Sequence, residues 1–442
     1  MEIRPRTILR LLSVLAAVIT LVGCAEREEI LVGKRENIRA QDAAVEPQVP
    51  LEGSRPIALP TPISNRDWTQ YFRTPELPAL HPELGDSLEL LWRVNIGSGD
   101  SRKQRITADP IVVDGRIFSL DADARVTAVT QDGAILWSQD FRPPRDRSGE
   151  ATGGGLAYLN GVLFISLGYG EVIAAEAATG ELRWRQQLNA TASGSPLIAD
   201  GLVYVVAGDN TGWAIDAENG RVAWQVSAAP SVANVLGAPM PVHTGGLIVF
   251  AFGSGDLIAA LPKGGLRRWA ASVAGSRIGK SASSIVDITG SPVLFGDKIV
   301  VGNHSGQIVA FDAISGDLEW TVREGALDPI WPTADSIFAI SDQNHLLRID
   351  VRNGQLIWRT DLPRYVRDRP NRRDQIYANH GPVLAGNKIV VASNDGFIRF
   401  FSPENGTLLS RLAIPHGATT APVIANKTLF VVSTRGILHA FR

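Results

Sequence analysis

One phrase recurs along this chain, and its spacing restricts the fold more than any other feature of the sequence. Each copy begins with a short apolar run, usually after a proline, reverses at a turn, and closes on Gly-x-x-x-Trp or a close variant. Six copies end at Trp137, Trp184, Trp224, Trp269, Trp320 and Trp358. A seventh ends at Ser410, where serine replaces the tryptophan. A period of roughly 40 to 50 residues is the size of a four-stranded β-propeller blade.

Within one copy, short apolar segments alternate with glycine-containing turns. Residues 298–302, Lys-Ile-Val-Val-Gly, are apolar and β-branched, and the polar turn 303–306 leads into a third apolar segment, 307–311. A second turn opens the last strand, which closes on Trp320. Short strands separated by such turns, without amphipathic helical stretches, predict an all-β fold of four-stranded antiparallel blades.

The two ends of the repeat region indicate the number of blades. Residues 421–442 supply three strands but lack the strand that ends in tryptophan. The missing strand stands before the first full copy, as Leu88-Glu-Leu-Leu-Trp92. Seven complete copies and this split one predict an eight-bladed propeller over residues 67–442. Pairing of the N-terminal and C-terminal strands in one blade would close the ring.

The repeated tryptophans have two interpretations. They could contact a cofactor or a sugar, as exposed aromatic rings often do. Their fixed place at the end of one strand in each blade favours packing between neighbouring blades instead.

The N-terminal residues have the pattern of a bacterial lipoprotein signal. Three arginines precede an apolar stretch that is too short to span a bilayer comfortably, and Leu21-Val-Gly-Cys24 resembles a lipobox. We therefore expect residues 1–23 to be a signal peptide and Cys24 to be the lipid attachment site. The alternative is an ordinary secretory signal with an incidental cysteine, but Cys24 is the only cysteine in 442 residues. Residues 24–66 are polar and rich in proline, which predicts a disordered tether.

The repeat unit is similar to that of pyrroloquinoline-quinone (PQQ) dehydrogenases and of their non-enzymatic relatives. Together with the lipobox and the count of eight, the chain resembles the BamB family of outer-membrane protein assembly factors. This resemblance implies a non-enzymatic scaffold without a cofactor, lipid-anchored in the outer membrane and facing the periplasm. It would bind the periplasmic domains of BamA, the barrel insertase, and other assembly subunits, with unfolded outer-membrane proteins as further candidates.

In the BamB family, two inter-blade loops contact BamA. Here they correspond to residues 229–238, between the third and fourth blades, and 274–291, between the fourth and fifth. The match is partial, because Thr289 replaces a family acidic residue and the arginine of the first loop is absent. The resemblance implies partner contacts at Val232, Asn234, Val235, Arg277, Ile285 and Asp287. An Asp287→Arg change is expected to weaken partner binding without lowering the melting temperature. The alternative is that both loops are merely long solvated connections.

Other motifs carry weaker signals. Residues 274–281 resemble a phosphate-binding loop, but the residues after them are poor helix formers. Seven histidines lie on different blades without metal-ligand spacing, so no metal site is predicted. The arginine-rich run 364–373 reads as a solvated loop, or alternatively as a site for an acidic partner or lipid headgroups. The formal net charge of −2 and the lack of a clustered basic surface argue against nucleic acid.

Two functional alternatives remain at the level of sequence. A periplasmic quinoprotein dehydrogenase would share the repeat, but such enzymes are typically longer, and many carry a disulfide of adjacent cysteines, which this chain cannot form. The other alternative is a lipoprotein that binds an envelope ligand or polysaccharide in the channel.

Overall fold

The computed structural model describes residue 51 and residues 53–70, 81–231, 237–273, 285, 287–369 and 372–442. The chain divides into two units, residues 1–50 and residues 51–442, and all described residues belong to the second. The predicted signal peptide and Cys24 lie outside the described residues and stay predictions. Within the described ranges, no helix has the length and apolar character needed to cross a membrane.

The described residues form 32 strands in eight antiparallel sheets of four. Strand β1, Leu90–Asn95, belongs to the last blade. Blade 1 holds β2 to β5, Ile111–Val113, Arg116–Leu120, Arg125–Thr130 and Ile135–Asp140. Blade 2 holds β6 to β9, Gly154–Leu159, Val162–Leu167, Glu171–Glu176 and Leu182–Gln187. Blade 3 holds β10 to β13, Leu197–Ala199, Leu202–Val206, Thr211–Asp216 and Val222–Ser227.

The remaining blades follow the same plan. Blade 4 holds β14 to β17, Val242–His243, Ile248–Ala251, Asp256–Ala260 and Arg267–Ser272. Blade 5 holds β18 to β21, Val293–Phe295, Lys298–Gly302, Ile308–Asp312 and Leu318–Val322. Blade 6 holds β22 to β25, Trp331–Thr333, Ser336–Ile340, His345–Asp350 and Leu356–Asp361. Blade 7 holds β26 to β29, Asn379–Ala385, Lys388–Ser393, Phe397–Phe401 and Leu408–Ala413. Blade 8 holds β30 to β32, Val423–Ala425, Thr428–Ser433 and Ile437–Phe441.

Blade 8 is completed by the first strand of the chain. Strand β1 pairs antiparallel with β32, so that Asn95 lies opposite Ile437 and Trp92 opposite Ala440. The backbone of Glu89 also exchanges two hydrogen bonds with that of Arg442, both of 2.9 Å. This pairing confirms the predicted all-β fold, the eight blades and the split blade that closes the ring.

Burial within a blade follows the position of each strand. In blade 2 every residue of β7 is buried, because both faces of this middle strand pack against neighbouring blades. The outermost strand β9 is largely exposed. The hydrophobic core is therefore a series of apolar layers between adjacent blades, as expected for stacked sheets.

Every outermost strand carries a β-bulge just before the tryptophan position. In blade 1, Trp137 lies opposite Ala128 and Ile135 opposite Val129, which leaves Leu136 as the extra residue. The same irregularity occurs in all eight outer strands. A bulge interrupts regular pairing and increases local twist, so it protects an exposed sheet edge from adding further strands.

The repeated tryptophans join seven of the eight blades to the blade that follows each of them. Trp184 of blade 2 donates from Nε1 to the carbonyl of Ala217 in blade 3, at 3.1 Å. Its ring lies against Gly220, whose φ of +75° and closeness (a Cβ would sit 2.7 Å from the ring) leave no room for a side chain. The seven repeat tryptophans, Trp92 to Trp358, all make the equivalent inter-blade bond. The predicted packing role is confirmed.

The junction between blades 7 and 8 lacks this fastening on both sides. Ser410 stands where blade 7 would present its tryptophan. Blade 8 has no turn between its third and fourth strands, because these are the two ends of the repeat region, and Leu88 occupies the place of the glycine. The tryptophan is absent where its receiving turn is absent.

Residues 53–70 differ from the disordered tether predicted up to residue 66. They run in extended conformation over one face of the ring, beginning where the Gly53 amide donates to the carbonyl of Ile357 in blade 6. Asn65 exchanges hydrogen bonds with the turn 424–426 of blade 8. We call residues 53–70 the strap. Its prolines suit an ordered extended segment as well as a disordered one, because proline fixes φ in either state.

The strap ends in the central channel. Trp68 forms two backbone hydrogen bonds with Val112 in the innermost strand of blade 1. Its buried ring stacks on that of Trp331 in the innermost strand of blade 6, with the centroids 6.2 Å apart. Trp68 thus links non-adjacent blades and fills the channel from the strap side.

Candidate partner-binding site on the loop face

The up-and-down order of the strands gives the propeller two different faces. The turns between the first and second and between the third and fourth strands lie on one face, and the strap runs across part of this face. The remaining turns and the connections between blades lie on the opposite face. We call the first the turn face and the second the loop face. Both predicted partner-binding loops belong to the loop face.

The described ends of the two predicted loops converge near the channel. The amides of Gly237 and Ala238, at the end of the first loop, donate to the Ser193 hydroxyl at 3.2 and 3.3 Å. The Met240 amide, just beyond this loop, donates at 2.9 Å to the hydroxyl of Ser291, the last residue of the second loop. Ser291 is buried, so this bond links the described end of the second loop to the residue that follows the first.

Asparagine side chains hold the bases of both loops. Asn210, in the turn between the second and third strands of blade 3, donates from Nδ2 to the carbonyl of Ala229 at 2.8 Å. Asn303 occupies the corresponding turn of blade 5, and its Nδ2 donates to the Val273 carbonyl at 3.3 Å. Both asparagines are buried, so these bonds have little competition from water.

Asp287 is brought close to the first loop but is not exposed. Its side chain is 3% exposed and lines a cavity of about 200 Å³ together with Ala238 and Pro239. A buried arginine at this position would have to be accommodated in the core, so Asp287→Arg is expected to lower the melting temperature. The expectation of an unchanged melting temperature is therefore not retained.

The other predicted contact residues have different outcomes. Ile285 is partly exposed on the second loop. Val232, Asn234, Val235 and Arg277 lie outside the described residues, and so does the phosphate-loop-like segment 274–281. The assignment of these side chains to a partner interface stays a prediction.

The channel opens on the loop face as a cavity of about 290 Å³. Thr289, Ser291, Gly237 and Ala238 line its wall, so both predicted loops border its mouth. This cavity could not be predicted from the sequence, because its lining residues come from the starts of many different blades.

Two carboxylates and a histidine lie in this cavity. Asp328 accepts from the Gly381 amide at 3.1 Å, and its carboxylate is 3.7 Å from Nδ1 of His380. Asp109 accepts from the Ala421 amide at 2.8 Å, and burial raises the pKa of Asp109 to about 7. Burial alone would lower the pKa of His380, but Asp328 and Asp109 reverse this effect and raise it.

This lining does not fit the quinone cofactor of the related dehydrogenases. PQQ is a planar polycarboxylate, so a site for it needs cations or other strong donors facing its carboxylates. The described lining of the cavity contains Asp109 and Asp328 but neither lysine nor arginine. Among the described residues, no group of three or more His, Cys, Asp or Glu is placed to hold a metal ion.

The described part of the arginine-rich run, 364–369 and 372–373, forms a self-paired loop. Tyr365 lies between two guanidinium groups, with Arg364 at 5.0 Å and Arg373 at 4.7 Å from its ring centre. Arg373 also pairs with Asp368 at 2.8 Å. Part of the positive charge is therefore balanced within the loop, which favours the interpretation of a solvated connection.

The fold and the repeat define the class of this molecule, an eight-bladed β-propeller built from PQQ-like repeats. A family model described as "Outer membrane protein assembly factor BamB" matches residues 122–360 and 352–442. The chain belongs to this BamB family. A curated relative, "Outer membrane protein assembly factor BamB" of Moranella endobia, is 21% identical over 79% of this chain and 89% of its own length.

Solved structures support the fold. The crystal structure of BamB from Moraxella catarrhalis superimposes with a TM-score of 0.63 at 18% identity, covering 80% of this chain and 98% of that one. A europium-containing methanol dehydrogenase gives a TM-score of 0.62 at 15% identity, covering 83% of this chain and 89% of the enzyme. Because an assembly factor and an enzyme fit similarly well, the fold alone does not distinguish them.

Proposed function

We propose that this protein is a non-enzymatic scaffold of the outer-membrane β-barrel assembly machinery. It binds the periplasmic domains of BamA, the barrel insertase, through the two loops of the loop face, and so assists the insertion of barrel proteins. The observation that carries this proposal is the hydrogen bond between Met240 and Ser291, which links the described ends of both loops within a chain of the BamB family.

The chemistry of the channel supports a scaffold over a dehydrogenase. The cavity borders both loops, yet its charged groups are two carboxylates and a histidine, which do not match an anionic quinone. The curated relatives are named as assembly factors, which agrees with a binding role.

The proposal includes attachment to the outer membrane through Cys24, with the propeller in the periplasm. Acyl chains on the cysteine would provide the anchor, since each buried CH₂ contributes about 0.8 kcal/mol. The chain joins the ring at Gly53 on the turn face, which leaves the loop face uncovered by the strap. Mass spectrometry of the mature protein would show the acylated N-terminal cysteine.

The proposal is tested by affinity capture from detergent-solubilised outer membrane. The tagged wild-type protein should recover the barrel insertase. A variant with Val235→Asp and Ile285→Asp should recover much less, because it places charge on both loops without touching the buried Asp287.

Ile314→Asp is the matched control, since Ile314 is exposed on the turn face of blade 5. It should capture the insertase as well as the wild type does. Failure of the wild-type protein to recover the insertase would refute the assembly function, and equal losses in both variants would remove the loop face as the interface.

A further inference from the structure

The bulged outer strands expose an uneven pattern of apolar side chains around the ring. The two residues immediately before each tryptophan position, which we call the outer-strand doublet, are the bulged residue and the one before it. In three consecutive blades both members are leucine or isoleucine and are 46–53% exposed. These doublets are Leu408-Leu409 in blade 7, Leu90-Leu91 in blade 8 and Ile135-Leu136 in blade 1.

In blades 2, 4 and 5 the outer-strand doublet contains a charged residue. Their doublets include an arginine or a glutamate, and in blade 3 the bulged residue is only an alanine. The exposed aliphatic doublets are therefore concentrated on blades 7, 8 and 1. Exposed aliphatic side chains that occur in pairs on neighbouring blades are a better candidate for an interaction site than scattered single residues are.

The sixth blade shows what such a doublet can bind. Its doublet, Leu356-Ile357, is also aliphatic, but Ile357 is fully buried. The strap lies over it, and the Gly53 amide donates to the Ile357 carbonyl at 3.2 Å. Ile57 of the strap packs against the core cluster that contains Ile357. The protein thus occupies one aliphatic doublet with an extended segment of its own chain.

A second backbone bond places the strap across the junction between blades 6 and 7. The Arg55 amide donates at 3.3 Å to the carbonyl of Glu404, which follows the tryptophan acceptor Pro403 in the turn of blade 7. The extended strap is therefore hydrogen-bonded both to the carbonyl of a bulged residue and to a carbonyl of the next blade.

The junction between blades 8 and 1 repeats this arrangement, but Leu91 is exposed and no backbone hydrogen bond of residues 53–70 reaches it. Leu91 is the bulged residue before Trp92, as Ile357 is before Trp358. Trp92 donates to the Gln131 carbonyl, so Asp132 stands where Glu404 stands in blade 7. At the junction between blades 1 and 2, Leu136 is likewise the bulged residue before Trp137, and Trp137 donates to the Ala177 carbonyl of blade 2.

We propose that the aliphatic doublets of blades 8 and 1 bind an extended polypeptide segment with alternating aliphatic side chains. The segment would lie across the outer strands as the strap lies across blade 6. Strands of outer-membrane barrels alternate apolar and polar residues, so an unfolded barrel protein has this chemistry. The inference rests on the proposed assembly function only for the source of the segment, since the binding surface belongs to the propeller itself.

The test measures binding of a fluorescein-labelled ten-residue peptide of alternating leucine and threonine to the purified mature protein by anisotropy. Leu91→Glu together with Leu136→Glu should weaken the dissociation constant at least about tenfold, which corresponds to about 1.4 kcal/mol. The matched control is Leu182→Glu together with Leu318→Glu, two exposed aliphatic residues whose doublet neighbours are charged. The control should bind like the wild type.

A photo-crosslinking residue at position 91 should label the bound peptide, and one at position 318 should not. Unchanged affinity in the Leu91/Leu136 variant, equal losses in both double variants, or no binding by the wild type would each overturn the inference. Capture of the insertase, measured on the same variants, should be unaffected. A loss of peptide binding with intact capture separates this surface from the loop face, and failed capture with intact peptide binding would refute only the assembly function.

Discussion

Arg348 is a fully buried charged residue whose guanidinium makes several hydrogen bonds. It is fully buried in β24, and its Nε donates to the Ser336 hydroxyl at 2.8 Å. Its terminal nitrogens donate to backbone carbonyls of the strap and of the turn 403–404 in blade 7, and Nη2 also pairs with Asp335 at 3.5 Å. One guanidinium therefore joins two blades and the strap, using the several donors that arginine alone provides.

We predict that Arg348→Met destabilises the protein by about 3 kcal/mol, because it removes the guanidinium donors to the carbonyls of Arg55 and Pro56 and breaks the ion pair with Asp335. Urea titration measures the loss. Arg93→Met is the control, since Arg93 is exposed on β1 and should change stability little. A loss no larger than that of the control would show that water replaces the guanidinium at these carbonyls.

Contacts of this kind could not be predicted from the sequence. Arg348 lies between Leu347 and Ile349 in its strand, and nothing in these neighbours indicates that the strap carbonyls of Arg55 and Pro56 approach it. The burial of Asp287 was missed for the same reason, because a position in a long loop suggests exposure while the fold of the loop decides it.

At the scale of elements, the repeat predicted the strands and turns well. The prolines, the glycine turns and the terminal tryptophan are each recognisable from the local sequence. A single sequence was therefore enough to count the blades. The β-bulge before each tryptophan was not predicted, because it appears only in the pairing of two strands. The strap was misread since proline-rich polar composition suits a tether and an ordered extended segment alike.

The tryptophan fastening gives a prediction at this scale. Trp184→Phe removes the hydrogen bond to Ala217 and should cost about 1 to 2 kcal/mol. Ser410→Trp should give no compensating gain, although it restores the consensus of the repeat, because blade 8 offers no turn to receive the ring. Urea midpoints of the two variants check both statements, and a clear stabilisation by Ser410→Trp would contradict this account of the junction.

At the scale of the whole molecule, the pairing of β1 with β32 holds the ring closed. This pairing joins residues from opposite ends of the described chain, so it restricts the unfolded state far more than a local hairpin does. Ile437 lies opposite Asn95 in β1 and also opposite Ser433 in β31, which allows a closely matched comparison.

A disulfide between Asn95→Cys and Ile437→Cys should stabilise the protein by about 5 kcal/mol on loop-entropy grounds, in a background with Cys24→Ser. A disulfide between Ser433→Cys and Ile437→Cys closes only a short loop and should give about 2 kcal/mol. Unfolding under oxidising and reducing conditions measures both gains. Equal gains would mean that the closing strands stay paired when the rest of the ring unfolds.

The stacked rings of Trp68 and Trp331 have a consequence for the passage of molecules through the central channel. Because both rings are buried on the strap side of the channel, we expect a molecule that enters from the loop face to leave by the same opening. If the proposed assembly function holds, we expect a client chain to be bound from outside, along the rim or across the open mouth, and not threaded through the middle.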